Sequence, residues 1–183
     1  MNNTIRTRIF PESNYRSVFS NGQTIRMPID PAKPVTELKW AEFYDVSFGS
    51  KCLTGQSKLK QKDGSWQNCY YCYASASKTG KYYDNVVEKV RNFFGQMTDN
   101  QRPTQWAAGG GSEPLEHPDF WKASEVAREL NIVPNYTTNG ILVNDYVVGK
   151  TKELGGGAAI TLHDHMEFFW RRAISRFKGS GIK

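Results

Sequence analysis

The chain of 183 residues contains no long hydrophobic run. No stretch approaches the ~18 apolar residues that a membrane-crossing helix needs, so no span is expected. The start, Met1-Asn2-Asn3-Thr4-Ile5-Arg6, has no apolar segment after its first basic residue, so no signal peptide is expected. Cysteine is scarce. Cys52, Cys69 and Cys72 form an odd count that cannot all pair within one chain. With no export signal, a disulfide framework is not expected, and reduced thiols in a cytoplasmic protein are. Internal repeats and low-complexity tracts are absent. From Phe168 to Lys183 acidic residues are absent as well, while Arg171, Arg172, Arg176, Lys178 and Lys183 are all basic. The net charge of +6 therefore sits mostly in the C-terminal stretch, which leaves +1 for the rest.

What is present suits one folded domain. Hydrophobic residues make up 38% and aromatics 13%, enough for a packed core and too much for a disordered chain. Residues 1–40 read as an irregular N-terminal extension. Pro28, Pro31 and Pro34 each remove a backbone donor there. Phe10, Tyr15, Phe19 and Trp40 are expected to anchor it on a folded body. Residues 41–183 form the main domain.

From residue 43 strands alternate with amphipathic helices. Phe43 to Phe48 reads as a first strand. Asp84 is expected to cap a helix carrying Val86, Val90, Phe94 and Met97. Gln105 to Ala108 is a second strand, running into Gly109-Gly110-Gly111. A second helix follows Pro118. Ile132 to Thr138 is a third strand, Asp145 to Leu154 a third helix and Ala158 to Leu162 a fourth strand. A fourth helix carries Phe169, Trp170, Ala173, Ile174 and Phe177, with Gly179 as its expected C-cap. Its arginines lie opposite the apolar stripe and read as a solvated face. The order βαβαβαβα implies a parallel α/β sheet with right-handed crossovers. Functional residues in such folds follow the strand C-terminal ends. Cys52, the glycines with Glu113, Asn139 and His163 each follow one.

Cys69-Tyr70-Tyr71-Cys72 places two thiolates near one metal centre, and Cys52 adds a third. Structural zinc takes four protein ligands, so three cysteines would need His117, His163 or His165. A four-iron cluster held by three cysteines keeps one iron open. The cysteines alone leave both readings standing. Gly109-Gly110-Gly111-Ser112-Glu113-Pro114 lets backbone approach a ligand, and its carboxylate suits an amine. No Gly-Lys-Ser/Thr follows, so it is not a phosphate loop.

The aromatic-containing Cys-x-x-Cys, the Gly-Gly-x-x-Glu-Pro-like turn and Thr137-Thr138-Asn139-Gly140 together resemble the radical S-adenosylmethionine (radical SAM) superfamily. The resemblance covers roughly residues 43–178. It implies a partial TIM-like (βα) barrel, with four βα units here against six in the family core. The chain is therefore expected to stop about two units short. The resemblance further implies a [4Fe-4S] cluster on Cys52, Cys69 and Cys72. It places S-adenosylmethionine against Tyr71, Gly110, Gly111 and Glu113, with Thr138 and Asn139 as further wall residues. The implied reaction is reductive cleavage to a 5′-deoxyadenosyl radical, with an external electron donor and a substrate whose identity the sequence does not carry. Soft thiolates suit iron–sulfur independently. The alternative from another class is a non-catalytic zinc module, with nucleic acid as its partner through a lysine loop.

Two features depart from the pattern. The inserted Ser112 interrupts the usual Gly-Gly-Glu. Sixteen residues separate Cys52 from Cys69 where three are usual. That costs roughly 1.5 kcal/mol of closure entropy, small beside metal–thiolate binding. Asp63-Gly64 is placed to turn a hairpin within the insertion. Lys58, Lys60 and Lys62 make it basic, the ordinary character of a solvated loop. His163-Asp164-His165 is a pair of a kind usually structural. Its place at the active face makes His163 a candidate for substrate contact or proton transfer.

Overall fold

The computed structural model describes residues 6–20, 23–53, 59–60, 66–67, 72, 74 and 76–182. Three strands come first: β1 (Arg6–Phe10), β2 (Tyr15–Ser20) and β3 (Gln23–Pro28). They form an antiparallel sheet in the order β1-β2-β3. The expected irregular extension is therefore an ordered sheet over residues 6–28. Its prolines do not interrupt it, because Pro11 opens a turn and Pro28 ends β3. Asn14, in the left-handed region at φ 51°, completes the turn into β2. Phe10, Tyr15 and Phe19 are buried, as anchors should be.

The central sheet is parallel, in the order β4-β7-β8-β9. Its strands are β4 (Phe43–Val46), β7 (Gln105–Ala108), β8 (Val133–Thr138) and β9 (Ala158–Ile160). Between β4 and β7, β5 (Leu59–Lys60) and β6 (Trp66–Gln67) pair as a small antiparallel ribbon that flanks Asp63-Gly64. Val46, Ala108, Tyr136 and Ala158 share one row across the main sheet.

Helices α1 (Val86–Gly95), α2 (Phe120–Glu129), α3 (Asp145–Leu154) and α4 (Glu167–Ser180) cover one face of this sheet. Trp106, Ala108 and Tyr136 present that face. Val90 and Phe94 of α1, Ala123 and Ala127 of α2, Val147 of α3, and Ala173 and Phe177 of α4 pack with them. The alternation that buries these strand residues turns Asp45, Ala107, Asn135 and Thr137 to the other, small and polar face.

Caps follow local chemistry. Asn144 accepts from Val147 N–H at 3.0 Å to start α3, and Gly155 in the left-handed region ends it. Helix α1 starts one residue later than expected. Asn85 rather than Asp84 occupies its N-cap, in the left-handed region that asparagine tolerates. Helix α4 runs through Gly179 and ends at Gly181, whose φ of 77° suits the cap. Among the described residues no helix is long and apolar enough to cross a membrane.

The N-terminal sheet lies under the entry ends of the parallel strands. Arg6 and Arg8, both buried, donate to the carbonyls of Asp99, Asn131, Asn100 and Ala41. Those carbonyls lie ahead of β4, β7 and β8. Tyr15 O–H and Arg26 N–H both donate to Glu42 Oε2, at 2.9 and 2.8 Å. Gln105 Nε2 donates to Thr24 Oγ1 at 3.3 Å.

Candidate functional site

Past β4 the chain runs through Phe48 to Cys52 beside a returning segment. Ser50 N–H donates to Lys81 C=O at 2.9 Å, Ser77 N–H to Ser50 C=O at 3.0 Å, and Cys52 N–H to Ser77 C=O at 3.0 Å. Such closeness needs Gly49, where a Cβ would lie 2.3 Å from Lys81 O. Residues 50–52 and 77–81 thus lie side by side. Cys72 lines the cavity that Cys52 also lines. Ala76 N–H donates to Cys72 Sγ at 3.3 Å, a contact that suits a thiolate.

The turn after β7 packs on the end of β4. A Cβ on Gly111 would lie 2.6 Å from Gly49 O and 2.3 Å from Ser47 Oγ, so this residue must be glycine for the two loops to meet. Glu113 follows, almost fully buried. Its Oε2 accepts from Asn139 N–H at 2.8 Å, its Oε1 accepts from Leu115 N–H at 3.3 Å, and Thr138 also bonds to the carboxylate. Burial pushes the carboxyl up to about 7, against the pull of these donors. Asn139 Oδ1 accepts from Ile141 N–H at 2.9 Å and shapes the turn beyond β8.

A cavity of about 130 Å³ opens at these strand ends. Cys52, Cys72, Gly110, Ser112, Glu113, Thr138, Asn139 and His163 line it. Gly111 does not, because it backs onto β4. Cys69 and Tyr71 lie outside the described residues, as do Lys58 and Lys62. His163 lines the cavity, and its carbonyl accepts from Trp170 Nε1–H at 3.1 Å. A larger apolar hollow of about 310 Å³ lies between β4 and α1, bordered by Tyr44, Tyr83, Val90 and Phe93. The cysteines and Glu113 are not part of it. Size alone does not pick the functional cavity here; the convergence of thiols, glycines and a carboxylate does.

Two soft thiol donors beside a glycine turn and a buried carboxylate are of the kind that suits a thiolate-held metal with a polar ligand next to it, although among the described residues no group of three or more His, Cys, Asp or Glu is placed to hold a metal ion. Two thiols, a glycine turn free of side chains and a buried carboxylate share one wall. Ser112 Oγ is buried without a hydrogen-bond partner among the described residues. For the zinc reading, His117 is engaged elsewhere. Asp119 N–H donates to its Nδ1 at 3.1 Å, and its Nε2 pairs with Tyr83 C=O at 3.1 Å. Buried beside the rings of Phe48 and Tyr82, it is a structural histidine.

Sequence reasoning passed over Glu116. Its two oxygens accept Leu53 N–H at 2.9 and 3.2 Å, right after Cys52. Burial raises its pKa; the Leu53 N–H and Lys51 pull the other way. The signal was available in Glu113-Pro114-Leu115-Glu116, where a proline-started 3-10 turn sets two carboxylates three residues apart.

The motifs resemble those of the radical SAM superfamily, and the comparisons with known proteins bear on that resemblance. A curated relative is an enzyme of that superfamily. It is the 7,8-dihydro-6-hydroxymethylpterin dimethyltransferase of Methanocaldococcus jannaschii, 31% identical over 90 residues. The match takes in 48% of this chain and 18% of that protein, so this chain spans a small part of its relative's length. No family model matches the chain. Among solved structures, BtrN in complex with AdoMet and 2-DOIA aligns with a TM-score of 0.49 and 15% identity, over 78% of this chain and 54% of that one. Native anSMEcpe with bound AdoMet and Cp18Cys peptide aligns with a TM-score of 0.49 and 17% identity, over 77% and 41%.

Proposed function

We propose that this chain is the cofactor-binding part of a radical SAM enzyme. In this reading Cys52, Cys69 and Cys72 hold a [4Fe-4S] cluster, and S-adenosylmethionine lies against Tyr71, Gly110, Gly111, Glu113, Thr138 and Asn139. The parallel sheet is then part of a (βα) barrel spanning residues 41–183, with residues 1–40 as an accessory cap. The observation that carries the reading is the meeting of Cys52, Cys72, the glycine turn and Glu113 at one cavity on the strand C-terminal ends. The bound cluster and cofactor supply reductive carbon–sulfur cleavage to a 5′-deoxyadenosyl radical, with the electron coming from an external reductant.

The chain's own residues prepare that site. Gly110 leaves room for a ligand's backbone-like groups. Glu113 holds Thr138 and Asn139 in place, and its carboxylate ionises readily once a cationic amine faces it. Ser112 offers a buried hydroxyl. His163 stands on the substrate side of the cavity as a contact or proton-transfer residue.

Anaerobic reconstitution with iron and sulfide tests this. The expected product is a brown protein with about four irons per chain. It forms 5′-deoxyadenosine from S-adenosylmethionine and reductant. A colourless protein holding one zinc per chain overturns the reading.

A further inference from the structure

We infer that Glu116 is a positioning residue for Cys52, acting as one arm of a brace that ties three strand-end loops together. The inference rests on the reading of Cys52 as a cluster ligand. Cys52 is pinned on both sides. Its own N–H donates to Ser77 C=O, and the next N–H, on Leu53, donates to both oxygens of Glu116. The two pins come from different elements, the returning segment near Ser77 and the turn after β7. Together they leave the Cys52 backbone little freedom to rotate.

The brace is stiff because its base is stiff. Pro114 opens the 3-10 turn, Glu116 N–H donates to Glu113 C=O at 3.2 Å, and His117 N–H donates to Pro114 C=O at 3.0 Å. Buried His117, the residue after Glu116, is held through both ring nitrogens, Nδ1 accepting from Asp119 N–H and Nε2 paired with Tyr83 C=O. From this one turn Glu113 reaches the loop after β8 and Glu116 reaches the loop after β4. A carboxylate accepting a backbone N–H is the strong kind of hydrogen bond, and here both carboxylate oxygens share the one donor. Lys51, next to Cys52, is also held, with its Nζ 4.8 Å from the Tyr82 ring centre. Glu116 touches neither cofactor nor reacting atoms in this scheme. It acts through Cys52.

The test is the alkylation rate of each cysteine in the metal-free 183-residue chain, read by iodoacetamide labelling and peptide mass spectrometry. Glu116→Ala is expected to speed labelling of Cys52 about tenfold, the scale of one lost charge-assisted bond. Labelling of Cys72 stays at the wild-type rate. Glu116→Gln keeps an amide oxygen as acceptor and is expected to stay within about threefold of wild type. Unchanged labelling of Cys52 in Glu116→Ala overturns the inference. So does an equal rise at Cys52 and Cys72, which signals general loosening, and so does failure of the Gln variant to rescue. Reconstitution of the same proteins separates the two claims. A wild-type chain that takes up no iron refutes the cluster reading, whereas the labelling result judges the brace by itself.

Discussion

The two ends of the parallel strands solve opposite problems. At the entry ends, beneath β4, β7 and β8, buried polar side chains are turned on the protein's own backbone. Arg6 and Arg8 close the carbonyls of four loop residues, and Glu42 gathers two donors from the small sheet. At the exit ends a cavity is kept open between thiols, a glycine turn and a carboxylate. One end is finished by side chains the fold itself consumes; the other keeps an open cavity whose lining we propose to meet a ligand. Changes at the first should register as stability, and changes at the second as binding.

The sharpest break of this contrast comes from Cys52→Ala. It is expected to abolish iron uptake, while the metal-free chain melts within ~2 °C of wild type. Iron analysis and thermal unfolding check both halves. The reverse pattern is expected for Arg8→Ala. Losing its bonds to Asn100 and Ala41, and its stacking 4.4 Å from the Phe10 ring centre, should cost about 3 kcal/mol in denaturant unfolding. Iron bound per folded molecule should not change. If it fell in step, the cap would belong to the site.

Glu113 is the case that joins the two effects. Its folded pKa of about 7 lies above the ordinary 4.5. A raised carboxyl pKa contributes stability below the unfolded value and loses it as pH rises through the folded value. Wild type should therefore lose roughly 3 kcal/mol relative to Glu113→Gln between pH 4.5 and just above 7. Urea titrations of both proteins across that window read the slope, and parallel curves would contradict it. Smallest is Gly111→Ala, whose added methyl meets Gly49 O. A loss of about 1–2 kcal/mol is expected, with weakened iron retention, because the displaced loop carries Cys52.

Much of this architecture was legible in the residues. Helix α3 has the bounds that its caps announce, and the strands follow runs of β-forming residues closed by glycine. Placement of the chemical residues after strand ends was legible too, since parallel topology alone sends them to one side. The N-terminal sheet was not. In β1 the inward positions are Arg6, Arg8 and Phe10, while Ile9 faces solvent, so the usual alternation reads inverted. Only the carbonyls waiting beneath the main sheet explain arginines on an inner face. Glu116 was missed for a related reason. Its partner, the N–H of Leu53, lies 63 residues away and leaves no trace in local pattern. Gly179 and Gly181 differ only in which one meets the left-handed backbone, a choice made where the last turn of α4 frays.

The pairing of residues 50–52 with 77–81 has a consequence for how such chains are recognised. Because Ser50, Cys52, Ser77 and Lys81 are joined by backbone hydrogen bonds, the chain that leaves at Cys52 is held where it meets Ser77. A search pattern written on spacing measures the path of the chain, whereas the hydrogen bonds record which parts of that path meet.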